Sequence, residues 1–482
     1  MPGRLALTVL LATAIAATAQ AAGPFALATG ESIELGRQIF AHDWAEPESW
    51  AGSEPLGAGG DGLGPLFNAA SCAACHQQGG MGGAGGNEHN VEVLSVAVTR
   101  PLRNRDRDVL LDRAHALHPQ FGRDNASFVL HRYGFGTGEV LLQYTFWKDQ
   151  LIGRSPSGRA LLDASAPRQV VAGVPLEIAY RNTPPLWGLG LIEQIRADAG
   201  HRVRRDLVRV QQRLQQQGSS VSGRIPKTPD GEQGWYGWRG HVGTLRDFVL
   251  NACANELGLE VPKRSQPENP LTAAAGQKHR PKLDLTKPQV TALTAYIAQL
   301  PQPIRVVPGD PFERQAAVAG ERLFHQIGCG ECHVDDVGEV RGLYSDLLLH
   351  DMGPRTSDQS TSIPEQVPAR RVTHSTGGYS GGNVTMSIPA QELATNIDQE
   401  WRTPPLWGVA DSAPYFHDGR AQTLDEAIRW HDGEAARSAH EYDRLFDEHQ
   451  RQLLTFLGTL RAPQIADESA VSRSAVAETM SR

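Results

Sequence analysis

Apolar positions recur at helical spacing through most of this chain, and short alternating runs interrupt them in the first half. Thr244 to Leu257 and Pro288 to Leu300 predict core-facing helices, closed by Gly258 and Pro301. Ala197 to Gln216 predicts a more polar amphipathic helix. Val91–Thr99, Val140–Phe146 and Val170–Tyr180 are rich in β-branched or aromatic residues and partly alternating, which predicts short strands. Gly218–Gln233 and Lys263–Lys282 are polar connections rich in Pro and Gly. Gly353–Glu400 has little pattern, as loops that cover a site often do, and the tail after Pro463 is small and polar.

Two short strings add chemistry to this pattern. Cys72-Ala-Ala-Cys75-His76 and Cys329-Gly-Glu-Cys332-His333 are both C-x-x-C-H, the spacing for covalent attachment of a c-type haem. The two sulfurs form thioethers, and the adjacent histidine is held under the iron as proximal ligand. A thioredoxin-like pair or half a zinc site is the plainer reading of CxxC, but neither needs the following histidine. The motifs therefore predict two covalent haems, with His76 and His333 on the irons. Cys253 is left over, and reads as a small buried residue.

The N-terminus agrees with a c-type protein. Arg4 precedes an apolar stretch from Leu5 to Ala19, and Ala19-Gln20-Ala21 is a small-x-small cleavage site. Residues 1–21 thus predict a signal peptide and a periplasmic product with no membrane span in the mature chain. The net charge of −8 carries no basic cluster, which argues against nucleic acid as a partner. Hydrophobic content of 40% supports real cores.

The chain repeats itself. Gly36-Arg-Gln-Ile-Phe40 resembles Gly320-Glu-Arg-Leu-Phe324; a competing alignment pairs Leu66-Phe67 with Leu323-Phe324. Thr183-Pro-Pro-Leu-Trp-Gly188 recurs letter for letter as Thr403-Pro-Pro-Leu-Trp-Gly408. We expect a mainly α protein: two cytochrome-c-like haem domains from a duplication, with a β-containing insertion in the first. The expected boundaries are 22–262 for the first domain, 263–309 for a helical connection, 310–462 for the second domain and 463–482 for a disordered tail.

Several strings together resemble one family. They are Gly64-Pro-Leu-Phe-Asn68, Arg181-Asn-Thr-Pro-Pro-Leu-Trp-Gly188, Gly234-Trp-Tyr-Gly-Trp238, Tyr344-Ser-Asp-Leu-Leu-Leu-His-Asp-Met-Gly353, Trp401-Arg-Thr-Pro-Pro-Leu-Trp-Gly408 and Tyr415-Phe-His-Asp-Gly-Arg420. From about residue 30 to 462 the chain resembles the di-haem oxidoreductase family, also labelled thiol oxidoreductases, and looks like a relative of bacterial di-haem cytochrome c peroxidases. The thiol label finds no support, since both CxxC pairs are expected to hold haem. The resemblance implies an enzyme in which electrons from a small c-type cytochrome or cupredoxin enter at the C-terminal haem. A substrate such as hydrogen peroxide is then reduced at the N-terminal one. A plain electron-transfer cytochrome and a di-haem oxygenase or oxidase acting on an organic or protein substrate are the alternatives.

The resemblance also suggests roles for single residues. His431 stands where relatives carry the sixth ligand of the second haem as Met or Tyr; Met352 and a surface histidine paired with Asp432 are the alternatives. Glu193 falls where relatives place a distal glutamate, and His89 could be a removable ligand. Arg181, Arg402 and Arg420 are candidates for the haem propionates or for protein carboxylates. Trp187, Trp238 and Trp407 either pack the porphyrins or relay between them. His417 and Asp418 are expected to fix a loop near the second haem. A calcium ion between the domains is left open.

Overall fold

The computed structural model describes residues 29–97, 104–118, 121, 127–134, 142–146, 148, 168–228, 230–267, 281–358, 372–375, 383–386 and 397–464. The expected signal peptide, residues 1–21, therefore lies outside the described residues, as does nearly all of the expected tail. The main helices are α1 (Gly30–Ala41), α2 (Asn104–Leu117), α3 (Leu189–Gln216), α4 (Leu245–Glu256), α5 (Lys287–Gln299), α6 (Pro311–Gln326), α7 (Leu424–Trp430), α8 (Ala436–Asp443) and α9 (Asp447–Leu457). The protein is mainly helical with some sheet.

Local chemistry sets where these helices begin. The Thr29 hydroxyl accepts from the Ser32 amide to open α1, and the Asp310 carboxylate accepts from Phe312 and Glu313 to open α6, with Pro311 at the first helical position. Thr423 and Glu426 form a capping box on α7.

Two helix crossings organise the two units. Gly36 of α1 meets the Ala292 carbonyl of α5, and Gly320 of α6 meets the Gln452 carbonyl of α9. A Cβ at either glycine would collide with that backbone, so these crossings need glycine. Just beyond each crossing a phenylalanine faces the motif histidine, with ring centroids 6.4 Å apart for Phe40 and His76 and again for Phe324 and His333. The packing favours pairing Gly36–Phe40 with Gly320–Phe324 over the competing alignment. Helix α5, which falls within the expected 263–309 connection, packs against α1.

The insertion holds a four-stranded antiparallel sheet in the order β2-β1-β4-β3. The strands are β1 (Val91–Val96), β2 (Ser127–Val129), β3 (Arg168–Val171) and β4 (Val174–Arg181), with Val91 opposite Arg181 and Val96 opposite Leu176. Leu94, Val96, Leu111, Phe128 and Leu176 form its own core with α2. Two of the three expected strand regions are thus strands. The third is not: residues 142–146 are helical, and Tyr144 and Lys148 both donate to the His131 carbonyl, at 3.0 and 2.6 Å. Aromatic and β-branched composition at 140–146 suits a half-buried surface of either kind, and tertiary packing decides it. Helix α3 starts at Leu189, well before the expected Ala197, because Gly188 in a left-handed conformation turns the chain straight into it. Within 353–400, Val372–Ser375 and Asn383–Met386 pair as a hairpin.

Strand β4 delivers the chain into the first Thr-Pro-Pro-Leu-Trp-Gly hexapeptide, and the strand Glu400–Arg402, paired with Leu349–Asp351, delivers it into the second. The two hexapeptides then meet. A Cβ on Gly188 would stand 2.7 Å from the Trp407 ring, and one on Gly408 would stand 3.2 Å from the Trp187 ring. Each indole sits on the other copy's glycine.

Candidate functional site

Each CxxCH motif opens onto its own cavity. The second is larger, about 230 Å³, and is bounded by Cys329, Cys332, His333, both hexapeptides and α7. The first, about 70 Å³, is bounded by Cys72, Cys75, His76, Thr183, Pro184 and α4.

At the second cavity two imidazoles face each other. The His333 and His431 ring centroids are 6.4 Å apart. His333 Nδ1 bonds the Tyr344 carbonyl at 2.9 Å, and His431 Nδ1 bonds the Ala427 carbonyl at 2.8 Å. A carbonyl only accepts, so each Nδ1 carries the hydrogen and each Nε2 keeps its lone pair. At metal–nitrogen distances of about 2 Å, two trans imidazoles place their centroids roughly 6 Å apart. Burial pushes the His333 pKa down to about 4 and lowers that of His431, so both are neutral, as metal ligands must be. His76 is prepared in the same way: its Nδ1 bonds the Gly83 carbonyl at 3.1 Å, and burial lowers its pKa to about 4.

Arg402 also fits a haem at the second cavity. Its Nε donates to the Gly237 carbonyl at 3.1 Å, while Nη1 is buried without a hydrogen-bond partner. Burial lowers its pKa to about 10, which still leaves it charged at neutral pH. A buried cation on a cavity wall suits a propionate carboxylate. Among the described residues, the donor sets at both motifs thus fit haem.

The other arginines go elsewhere. Arg181 forms a bidentate pair with Asp358, at 2.5 and 3.1 Å, both side chains buried. Arg239 and His417 close on the same carboxylate at 3.5 Å each, and the Trp401 ring stacks on His417 at 3.5 Å. Arg420 is bidentate on Asp418, with Nε and Nη2 donating at 2.9 and 2.6 Å. For these two, the structure pairs the arginine with a protein carboxylate.

Glu193 borders neither cavity. It is buried 2.7 Å from the Tyr236 hydroxyl, which donates to it, and it also accepts from Arg196 and the Leu245 amide. The carboxylate that does line the first cavity is Glu256. Asn68 Nδ2 donates to one of its oxygens at 2.7 Å; the other is buried with no partner, and burial raises its pKa to about 7. His89 lies beside the first motif, its Nδ1 3.6 Å from Cys75 Sγ. Trp238 and Trp407 line the second cavity, whereas Trp187 is buried between the hexapeptides and donates to the Met81 carbonyl at 2.9 Å. Met352 borders the second cavity too, but His431 is the residue whose ring faces His333.

His350 was not among the sequence candidates, although it stands inside the Tyr344–Gly353 string. It is buried between Glu434, whose Oε2 is 2.7 Å from Nδ1, and Asp346, whose Oδ2 is 2.9 Å from Nε2. Only an imidazolium can donate through both nitrogens. Glu434, three residues past His431, also accepts from the Ser222 amide at 2.8 Å. The carrier segment of His431 is thereby tied to two other parts of the chain. Among the described residues, no group of three or more His, Cys, Asp or Glu side chains is placed to hold a metal ion.

Residues 387–460 match the family model described as "Di-haem oxidoreductase, putative peroxidase". That stretch is thus similar to the di-haem oxidoreductase family, which bears out the resemblance read from the motifs; such a family implies haem as the cofactor. It is also similar to hydrazine synthase subunit gamma of Kuenenia stuttgartiensis, at 30% identity over 147 residues, covering 29% of this chain and 40% of that subunit. The chain thus matches less than half the length of that relative. Among solved structures, it is similar to a Kuenenia stuttgartiensis hydrazine synthase under xenon pressure, at 23% identity with a TM-score of 0.25, covering 37% of this chain and 57% of that one. A MauG-like protein associated with microbial copper homeostasis matches at 18% identity with a TM-score of 0.22, covering 39% and 56%. Neither score amounts to a shared overall fold. Among the described residues, no helix is long and apolar enough to cross a membrane.

Proposed function

We propose that this chain is a periplasmic di-haem c-type oxidoreductase of the cytochrome c peroxidase type. Electrons from a small redox protein enter at the C-terminal unit, and a peroxide-like oxidant is reduced at the N-terminal unit. The observation that carries this reading is the opposed pair His333 and His431, each with Nδ1 on a carbonyl and Nε2 left for a metal. With haem bound, these two histidines would hold its iron on protein ligands, which would suit electron transfer with little reorganisation. The identical hexapeptides and the matching glycine crossings support a duplication that produced the two units.

Bound haem iron supplies the one-electron chemistry; the chain supplies what surrounds it. Cys72, Cys75, Cys329 and Cys332 would hold the two porphyrins, and His76 and His333 the irons. Arg402 would hold a propionate. At the first cavity, Glu256 rather than Glu193 is the carboxylate placed to take a proton from one peroxide oxygen and return it to the other. A carboxyl with a pKa near neutrality suits that exchange.

Low-temperature EPR of the as-isolated and half-reduced holoprotein, with a peroxide assay on the same samples, tests the reading. A high-spin ferric signal beside a low-spin one, with peroxide consumed, is expected. Two low-spin irons without turnover would leave an electron carrier instead.

A further inference from the structure

The segment that carries His431 is held from two sides, and both holds reach back to the second CxxCH motif. His431 closes α7, a helix of only seven residues. So short a helix frays at its end unless the chain beyond it is fixed. Beyond it lies the turn Asp432–Ala435, and Glu434 is that turn's anchor.

The outer hold is the serine-rich segment that follows α3. Ser219 Oγ donates to Glu331 Oε2, between the two cysteines of the motif. Ser222 donates to Glu434 through its amide, at 2.8 Å, and through its hydroxyl. Ser220 Oγ donates to the Glu434 carbonyl at 3.0 Å. Ser220 and Val221 line the cavity, so the segment crosses its wall from the His333 side to the His431 side.

The inner hold is His350. The Asp346 amide donates to the Cys332 carbonyl at 2.9 Å, which fixes that aspartate on the motif. His350 then joins the Asp346 carboxylate, at 2.9 Å, to the Glu434 carboxylate, at 2.7 Å. The backbone closes on the same turn. A Cβ on Gly433 would stand 2.3 Å from the Asp351 carbonyl oxygen, and the Asp351 amide donates to Glu434 Oε1 at 3.4 Å.

We propose that Glu434 is a positioning residue that fixes His431 opposite His333, tied to the serine segment on one side and to His350 on the other. The proposal rests on the reading of His431 as an iron ligand and names what keeps that ligand in place. The bond from His431 Nδ1 to the Ala427 carbonyl sets the rotation of the ring, but both residues belong to the same short helix end and move with it. The Glu434 carboxylate ties that end to segments outside α7. Removing it releases Ser222, His350 and Asp351 together.

EPR of the ferric holoprotein, with carbon monoxide uptake by the dithionite-reduced form, tests this without relying on turnover. The g values of a low-spin iron between two imidazoles follow the angle between the ring planes, here 62°, so they report ring placement. Glu434→Ala should lose most of the low-spin signal of the second haem and take up one CO more per chain than wild type. Excess imidazole should restore a low-spin signal, and the signals of the first haem should stay unchanged. Glu434→Gln keeps the shape and one acceptor oxygen; it serves if the alanine variant fails to fold, and should shift the g values. Wild-type g values and CO uptake in a folded Glu434→Ala carrying two haems overturn the proposal, as do wild-type g values in Glu434→Gln where the alanine variant does not fold. His431→Ala separates the two readings. It should also take up one CO more than wild type, and if it does not, the ligand reading and the proposal fall together. An additional CO in His431→Ala beside a wild-type spectrum in Glu434→Ala removes the positioning role alone.

Discussion

Replacing Asp358 by asparagine should strip the central anion from the buried cluster that joins β4 to the second unit. The carboxylate takes two hydrogen bonds from Arg181, at 2.5 and 3.1 Å, and lies 3.5 Å from both Arg239 Nη2 and His417 Nε2. Arg239 also lies over the Trp401 ring, 4.0 Å from its centroid. Asparagine keeps the shape but turns donors toward guanidiniums that are already donors. Breaking a buried ion pair by removing one partner costs about 3–5 kcal/mol. At roughly 2–4 °C per kcal/mol for a unit of this size, the melting temperature should fall by about 6–20 °C. The pH dependence has a definite sign. Burial works against the Asp358 charge, but Arg181 and Arg239 outweigh it and hold its pKa well below the ordinary value. Its stabilisation is therefore complete above about pH 4, the unfolded value, and fades as pH falls below it. Circular dichroism melts of holo wild type and Asp358→Asn at pH 7 and pH 3.5 should show the larger gap at pH 7. A gap below about 1 kcal/mol at pH 7, or one that widens in acid, would refute the reasoning.

Three further variants have defined outcomes. Gly320→Ala forces a methyl into the Gln452 carbonyl and should destabilise by about 1–3 kcal/mol in urea unfolding, with no effect if the α6–α9 crossing is wrong. Glu256→Gln should flatten the pH profile of the peroxide reaction near pH 7, where wild type changes slope; identical profiles would exclude Glu256 as the proton carrier. The same variant should remove a loss of stability as pH rises from about 4.3 toward 7, because the native state holds this proton longer than the unfolded one. His350→Leu leaves Asp346 and Glu434 facing each other without a cation and should cost about 3–5 kcal/mol, and a neutral result in chemical denaturation would show the imidazole to be uncharged.

The motifs whose residues must stand in a fixed order were legible in the sequence. CxxCH needs its residues adjacent, and the Pro-Pro-Leu-Trp-Gly turn needs its letters in order, so both survive as strings. His431 was singled out because it stands where the resembling family carries a ligand, and the structure sets its ring opposite His333. What the sequence hid are contacts assembled from distant segments. Arg181 finds Asp358 far along the chain, and nothing near either residue announces the partner. Glu193 and Glu256 lie on different helices of one unit; which carboxylate reaches the cavity depends on helix rotation, which a string does not encode.

The exchange of indoles between the two hexapeptides has a mechanical consequence. Rotating one unit against the other would pull Trp187 off Gly408 and Trp407 off Gly188 at the same moment. Helix α3 adds a strut about 42 Å long, at about 1.5 Å per residue. It springs from the first hexapeptide, and Gln211 near its far end donates to the Glu331 carbonyl inside the second CxxCH motif at 2.7 Å. Among the described residues, a hinge motion between the two motifs would have to break this dovetail and this brace together. If both motifs hold haem, electron exchange between them would then proceed at one fixed separation, and its rate should be indifferent to solvent viscosity.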